Sequence, residues 1–212
     1  MKIKERYEKY QIMPTLAEHM LRVGAVAKIL TSQIKESGFP SKEIISACLL
    51  HDMGNIVKFD LDNVPAGLDI PNIEHWKEVQ KKVIDQYGLD EHDATYQMAK
   101  DMGVSKVTLD AISNCGTAKA KKVLEEKSIP AMFVTYSDYH VAPTEIVTPE
   151  DRLNNILIRY KNTPKYEGYV RDGNNVLEIA HYLEKQYSLD KQQVNEISVK
   201  TVVSELLEWE LV

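Results

Sequence analysis

Apolar residues recur at spacings of three and four along most of this 212-residue chain, and that spacing restricts its fold more than any other feature. The clearest example is the stripe formed by Leu16, Met20, Val23, Val26, Ala27 and Leu30. The alternating pattern typical of strands is almost absent, as are internal repeats and low-complexity tracts. With 43% hydrophobic residues for a core, the sequence predicts an all-α fold of roughly nine helices.

Capping and turn residues predict where the helices begin and end. Thr15 to Glu18 has the pattern of a capping box, which predicts a helix to about Ser37. Ser41 is expected to cap a second helix that Gly54 ends, followed by a long loop over 55–72. Further helices are predicted over 73–87, 90–103, 105–114, 117–127, 130–141, 149–162, 174–187 and 190–209.

We predict two parts of the chain: a metal-binding helical domain of residues 1–165, and a C-terminal helical extension of residues 166–212 packed on it. The last predicted helix is strongly apolar, with Val199, Leu206 and Trp209 among its residues. It is therefore expected either to pack across the domain or to form the seam of a homodimer.

Charge and hydropathy exclude several classes of partner. The formal net charge is −6, and no run of Lys and Arg offers a track for a long nucleic acid or a membrane surface. No apolar run approaches the length of a membrane span, and no signal peptide is recognised, so we expect a cytoplasmic protein. Cys48 and Cys115 lie in apolar contexts and are predicted to be buried, reduced thiols.

Three separate segments carry side chains that ligate metals: Glu18–Val23, Leu49–Gly54 and Tyr136–His140. Within them, helical spacing from core residues predicts that His19, His51, Asp52 and Asp138 point inward. Two buried carboxylates need a cation, because an unpaired one costs several kcal/mol or shifts its pKa. Arg22 could neutralise one of them, whereas a divalent metal would serve both and also use the two imidazoles. The alternative is that each segment is purely structural.

The order His, then His-Asp, then a distant Asp resembles the HD-domain superfamily of metal-dependent phosphohydrolases. The residues around His19, the run Ala47–Gly54, and Tyr136–Asp138 with the following Ile146–Leu153 resemble its motifs, over about residues 12–160. The resemblance implies that His19, His51, Asp52 and Asp138 hold one divalent metal, with Asp52 assigned to catalysis. Two nitrogens and two oxygens suit Mn, Fe, Co, Ni or Zn better than Mg. A water activated by that metal would attack phosphorus.

The sequence departs from the family pattern at two places. Asn55 stands where many relatives have Lys and some nucleotidases have Glu, and Asn cannot act as a general base. Lys58, one turn later, either supplies the missing positive charge or is a solvated lysine. His92 resembles the first extra histidine of relatives with two metals, but no His-His pair follows near Ser113, so one metal is expected.

His92 is then predicted either to contact substrate or to be structural. Arg22, three residues after His19, either binds phosphate or pairs with Asp52 or Asp138. We therefore predict hydrolysis of a phosphate ester of a small metabolite, with Arg22, Asn55, Lys58 and His92 binding the substrate. A nucleotide is favoured by the resemblance alone. Two alternatives stay open: a sensor or scaffold that binds metal and nucleotide with little turnover, and a structural helical protein without metal.

Overall fold

The computed structural model describes residues 2–63, 70–143 and 145–212. Within these ranges the chain forms eleven α-helices and three short 3₁₀ helices, and isolated bridges are the only extended pairing, so the predicted all-α fold is confirmed. The α-helices are α1 (Ile3–Lys9), α2 (Pro14–Thr31), α3 (Ser41–Cys48), α4 (Ile73–Tyr87), α5 (Glu91–Asp101), α6 (Lys106–Asn114), α7 (Ala120–Glu126), α8 (Ile129–Asp138), α9 (Pro149–Tyr160), α10 (Tyr166–Tyr187) and α11 (Glu196–Leu206). The 3₁₀ helices are Met53–Lys58, Thr117–Lys119 and Lys191–Gln193.

Helix α2 lies at the centre of the fold, with α3, α8 and α11 packed against it. Gly24 permits the closest approach: a Cβ at this position would lie 2.8 Å from Cδ2 of Leu49 and 3.4 Å from Cδ1 of Leu206. The end of α3 and the C-terminal helix are therefore both held against α2. This arrangement fixes the helix that carries His19.

Helix α8 is the second central element, since α2, α3, α6, α7 and α10 all contact it. Its residues from Ala131 to Ser137 are buried, and Phe133 stacks edge-on with Phe39. Its last residue is Asp138, so the carboxylate lies where this buried helix ends.

The 3₁₀ helix Met53–Lys58 packs closely on α5. The backbone N–H of Gly54 donates to Oγ1 of Thr95 at 2.9 Å, and a Cβ at Gly54 would lie only 2.5 Å from the carbonyl oxygen of Glu91. A glycine is therefore needed for this approach, which holds the chain directly after Asp52. Asp90 caps α5 as expected, accepting hydrogen bonds from the N–H groups of His92 and Asp93.

The C-terminal helices share the core of the rest of the chain. Helix α10 packs on α7, α8 and α9, while α11 lies along α2 and buries Val199 and Leu206. The residues after α11 return to the N-terminus, where Ile3 N donates to the carbonyl oxygen of Trp209 at 2.9 Å. The apolar stripe of the last helix thus packs within this chain. A homodimer seam stays a prediction.

Several boundaries predicted from the sequence are wrong. Helix α2 begins at Pro14 with Met13 as its N-cap, which makes no side-chain cap, and it ends at Thr31 rather than at about Ser37. Proline at the first helical position has no N–H to satisfy, so it replaces the predicted Thr15–Glu18 capping box as the start signal. Helix α1 was not predicted, and α10 begins at Tyr166, earlier than the predicted 174.

The second helix also differs from expectation, because α3 ends at Cys48 instead of continuing to Gly54. The predicted loop 55–72 begins with the 3₁₀ helix Met53–Lys58, and residues 64–69 of that loop lie outside the described residues. Cys48 is buried and Cys115 partly exposed, and both are free thiols. Among the helices described, none combines the length and the apolar character that a bilayer span needs.

Candidate metal centre

Three of the four predicted ligands converge closely. His19 lies on α2, His51 in the turn after α3, and Asp138 at the end of α8. Nε2 of His19 is 3.0 Å from Oδ1 of Asp138, and Nε2 of His51 is 3.7 Å from the same oxygen. A ligand atom of each residue lies within 4.8 Å of those of the other two. The structure therefore brings together side chains from three distant segments.

Asp52 faces the same two imidazoles but divides its oxygens between them. Its Oδ2 is 3.7 Å from Nε2 of His19, and its Oδ1 is 3.7 Å from Nε2 of His51. For this reason no single oxygen of Asp52 joins the tight group formed by His19, His51 and Asp138. To ligate an ion shared with the other three residues, Asp52 would have to turn one of its oxygens toward them.

The ring of His51 is oriented by the end of α3. Its Nδ1 lies 2.8 Å from the carbonyl oxygen of Cys48, and because a carbonyl only accepts, Nδ1 must carry the proton and donate. Carbonyls in the last turn of a helix lack intrahelical donors, so this bond satisfies both groups. Nε2 of His51 is buried and has no hydrogen-bond partner among the described residues. That nitrogen is the one left free for a metal.

Neighbouring charges in the cluster shift the pKa values of His51 and Asp138 strongly. Burial lowers the pKa of His51, but the charges of Asp52 and Asp138 outweigh it and raise that pKa to about 9. Burial would raise the pKa of Asp138, yet the hydrogen bond from His19 and the charge of both imidazoles hold it well below its usual value. The two shifts have one cause: the cluster favours a positive charge between its imidazoles and its carboxylates.

The residues present fit a divalent metal. Ligand atoms that share one ion at about 2.0–2.2 Å lie about 3.0–3.5 Å from each other. The nitrogens of His19 and His51 lie 3.0 and 3.7 Å from Oδ1 of Asp138, and the ligand atoms of all three residues lie within 4.8 Å of one another, so small side-chain movements would bring them to an ion. The side chains of Asp52 and Asp138 are 28% and 26% exposed, whereas that of His51 is 5% exposed. One side of the cluster is thus open to water or substrate.

Helical periodicity did not predict the local structure that places His51 and Asp52 at the site. They were expected on the inward face of a helix extending to Gly54, but α3 ends at Cys48 and both residues lie in the following turn. The turn is held between the buried end of α3 and the contact of Gly54 with α5. Tertiary packing, rather than helical spacing, therefore orients the side chains of His51 and Asp52.

Arg22 does not pair with Asp52 or Asp138. Its Nε donates to Glu18 at 3.3 Å, and its NH1 donates to both carboxylate oxygens of Glu196, at 3.2 and 3.0 Å. Of the two alternatives given for Arg22, the structural pair with Asp52 or Asp138 is therefore wrong, and phosphate binding stays a prediction. Its partner Glu196 lies on α11, and no pattern in the sequence connects that helix with the site.

Asn55 and Lys58 form a unit beside the turn that carries Asp52. Asn55 is buried, and Nζ of Lys58 donates to its Oδ1 at 2.9 Å while lying 3.6 Å from Glu91. Lys58 thus contacts two oxygens, while 38% of its side chain stays exposed to solvent. His92 is exposed at the start of α5, and the hydrogen bond described for it is made by its backbone N–H to Asp90.

Sequence reasoning missed a polar group next to Asp138. Tyr139 and Thr117 join their hydroxyls at 2.5 Å. Burial raises the pKa of Tyr139 to about 12, with Asp138 adding to the rise and Arg152 opposing it. Nε of Arg152 is buried without a hydrogen-bond partner among the described residues. Arg152 lies in the segment Ile146–Leu153 that matches the family pattern, and this was the signal available for it.

Comparison with known proteins agrees with this geometry. A family model described as the HD domain matches residues 16–142, a span that contains all four ligand candidates and most of the central helices. None of the curated proteins and none of the solved structures compared with the chain gave a match. The family match covers more than half of the chain, and the chain therefore belongs to the HD-domain family of metal-dependent phosphohydrolases.

Proposed function

We propose that this protein hydrolyses a phosphate ester of a small metabolite, with a nucleotide as the favoured class, by means of one divalent metal held by His19, His51, Asp52 and Asp138. The observation that carries the proposal is the buried Nε2 of His51, which has no partner among the described residues and faces two carboxylates. Family membership supports the reaction class. The preference for a nucleotide rests on family resemblance alone.

The ligand set favours Mn, Fe, Co, Ni or Zn over Mg, because imidazole suits the transition metals and Mg prefers oxygen. When bound, such an ion lowers the pKa of a water and polarises a phosphoryl oxygen. Asp138 and the two imidazoles form the compact part of the set. We assign Asp52 to catalysis, because a carboxylate that ligates through one oxygen keeps the other to accept a proton.

Substrate binding is assigned to residues beside the metal cluster. Lys58 offers an ammonium group that Asn55 orients, and the two follow Asp52 within two turns of the chain. Arg152 adds a guanidinium whose Nε has no partner among the described residues. His92 and Arg22 remain candidates, although the carboxylates of Glu18 and Glu196 already occupy Arg22. These cations suit a small phosphorylated substrate.

The competing proposal is a sensor or scaffold that binds metal and nucleotide with little turnover. It is favoured by Asn55, which is buried and cannot serve as a general base where some relatives have Glu. The enzyme proposal requires Asp52 to take that role. The two proposals differ in turnover and agree on metal binding.

The test is a phosphate-release assay against nucleotides, phosphomonoesters and phosphodiesters, run with Mn, Co, Ni, Zn and Mg in turn. We expect metal-dependent turnover that is lost in His51→Ala and in Asp52→Asn and kept in His181→Ala, which changes an exposed histidine of α10. Binding of metal and nucleotide without phosphate release in any condition would support the sensor. Equal activity in wild type and His51→Ala would overturn the proposed site.

A further inference from the structure

Glu196 contacts two of the elements that carry the candidate ligands. Its carboxylate accepts from NH1 of Arg22, at 3.0 and 3.2 Å, and from the backbone N–H of Ile146 at 2.7 Å. Arg22 lies on α2 three residues after His19, and Ile146 lies in the turn that follows Asp138 at the end of α8. One carboxylate thus joins the helix of one ligand to the turn after another.

The turn after Asp138 can transmit this contact because backbone hydrogen bonds hold it. Val141 N donates to the carbonyl oxygen of Asp138 at 3.0 Å, and Val147 N donates to that of His140 at 3.0 Å. Val141 and Ile146 also pair as an isolated antiparallel bridge. A displacement of Ile146 is therefore coupled to the backbone of Asp138.

Glu196 is itself held in place. It is the first residue of α11, and Asn195 before it forms a capping box with Ser198 that fixes the first helical turn. Burial opposes ionisation of Glu196, but the N–H of Ile146 and the guanidinium of Arg22 lower its pKa. The carboxylate is consequently charged at neutral pH, which makes both of its hydrogen bonds charge-assisted.

We propose that Glu196 is a positioning residue for the metal centre: by holding Arg22 and Ile146 together it fixes the approach of His19 to Asp138. Metal affinity then depends on α11, which lies outside residues 16–142 that match the HD domain. The inference rests on the proposed function in one respect, namely that His19 and Asp138 bind the same metal. It does not require turnover.

A second ion pair between the same two helices provides the control. Glu205 of α11 pairs with Lys28 of α2, and among the described residues neither side chain makes a hydrogen bond or ion pair with a segment that carries a candidate ligand. If α11 acted only by packing on α2, loss of the Glu196 carboxylate and loss of the Glu205 carboxylate would change Co²⁺ affinity to the same extent. If Glu196 positions the ligands, only its loss changes metal binding.

The experiment uses the full chain and compares wild type, Glu196→Gln, Glu196→Ala and Glu205→Gln. Affinity for Co²⁺ is measured by titration of its visible absorption, and the melting temperature of the metal-free protein is measured in parallel. We expect Glu196→Ala to weaken Co²⁺ binding by about threefold to tenfold, less than the loss of a group that is hydrogen-bonded directly to a ligand. Glu196→Gln should have a smaller effect, because the amide oxygen can still accept from Ile146. Glu205→Gln should match wild type in affinity.

Two results would overturn the inference: Glu196→Ala binding Co²⁺ within twofold of wild type, or Glu205→Gln weakening it as much as Glu196→Ala. A wild-type protein that binds Co²⁺ but releases no phosphate from any substrate contradicts the proposed hydrolase and leaves the effect of Glu196 measurable. A wild-type protein that binds no Co²⁺ overturns both proposals. The melting temperatures of the metal-free Glu196 and Glu205 variants show whether a change in Co²⁺ affinity accompanies a general loss of stability. Weaker binding at an unchanged melting temperature supports positioning.

Discussion

Oδ1 of Asp138 lies 3.0 Å from Nε2 of His19 and 3.7 Å from Nε2 of His51, so one carboxylate oxygen faces two imidazole nitrogens. Asp52 faces the same two nitrogens from its own two oxygens, each at 3.7 Å. Two carboxylates beside two imidazoles favour a cation between them, because each partly buried anion needs a positive partner. Protonation of His51, whose pKa the carboxylates raise to about 9, would supply that charge, and a divalent metal would take its place.

The first prediction is that His51→Ala and Asp138→Ala each lose bound metal. Both changes remove a ligand from the group formed by His19, His51 and Asp138. The ligands that remain are too few to hold the ion tightly. Elemental analysis of protein purified without chelator measures this, with about one ion per chain expected in wild type. His181→Ala should keep its metal. Metal retained in both ligand variants contradicts the site.

The second prediction concerns pH. In the metal-free protein the pKa of His51 is raised to about 9 from an ordinary value of 6.5. Its protonation therefore stabilises the fold fully below pH 6.5, and this stabilisation is lost as the pH rises through 9, on the order of a few kcal/mol. Because a metal needs the neutral imidazole, metal affinity should rise by up to about tenfold per pH unit over the same range.

Two measurements check this dependence. Urea unfolding of the metal-free protein at pH 6.5 and pH 9.5 should show a lower free energy of unfolding at the higher pH. Titration with Co²⁺ at pH 7, 8 and 9 should show tightening affinity, with protons released to an indicator dye. A metal affinity that is constant between pH 7 and pH 9 is the contrary result.

The fold class could be predicted from the sequence, because helical spacing is a local property, and the structure confirms it. Short motifs also indicated four residues that the structure brings near one another, and their role as metal ligands stays a prediction. Sequence reasoning failed where tertiary contacts decide. His51 and Asp52 were placed on a helix, but α3 ends at Cys48, and packing of Gly54 on Thr95 orients the turn instead. No local pattern reports the approach of two segments that are far apart in the chain.

The partners of Arg22 were missed for the same reason. Glu18, four residues earlier on α2, is a local partner that spacing allows, whereas Glu196 comes from the C-terminal helix. Arg152 was missed because its segment was recognised as a pattern without a role for each residue. In both cases the information lies in tertiary contacts and not in the spacing of residues.

The third prediction is that Gly54→Ala destabilises the protein and weakens metal binding. A Cβ there would lie 2.5 Å from the carbonyl oxygen of Glu91 and 2.6 Å from the backbone nitrogen of Thr95, and a backbone cannot yield as a flexible side chain does. We expect a loss of about 1–3 kcal/mol. Gly168→Ala in α10, where a Cβ meets nothing within 4 Å, should be neutral or stabilising. Urea unfolding gives the free energy of unfolding of both variants. Equal values would contradict the conclusion that the contact with α5 requires a glycine at position 54.

The fourth prediction is that Lys58 acts on substrate and not on metal. Nζ of Lys58 donates to Asn55 and lies 3.6 Å from Glu91, so the charge is held next to the turn of Asp52. Lys58→Gln should raise KM for an anionic substrate about tenfold while metal content stays unchanged. Lys58→Arg keeps the charge and should lie closer to wild type. A variant with normal KM and reduced metal would assign Lys58 to the metal centre instead.

The fifth prediction separates packing of α11 within the chain from a homodimer seam. Leu206 is completely buried and lies near Gly24 of α2, whereas its neighbour Leu207 is 37% exposed. Leu206→Ala should cost about 2–5 kcal/mol in urea unfolding, because it leaves a cavity between two helices of the core. Leu207→Ala should cost less than about 1 kcal/mol in the isolated chain. Light scattering of the Leu207→Ala variant then tests the seam. If wild type is a dimer formed through the exposed side of α11, the molar mass of this variant falls toward that of a monomer. If α11 serves only the core of its own chain, the molar mass of the folded variants equals that of wild type.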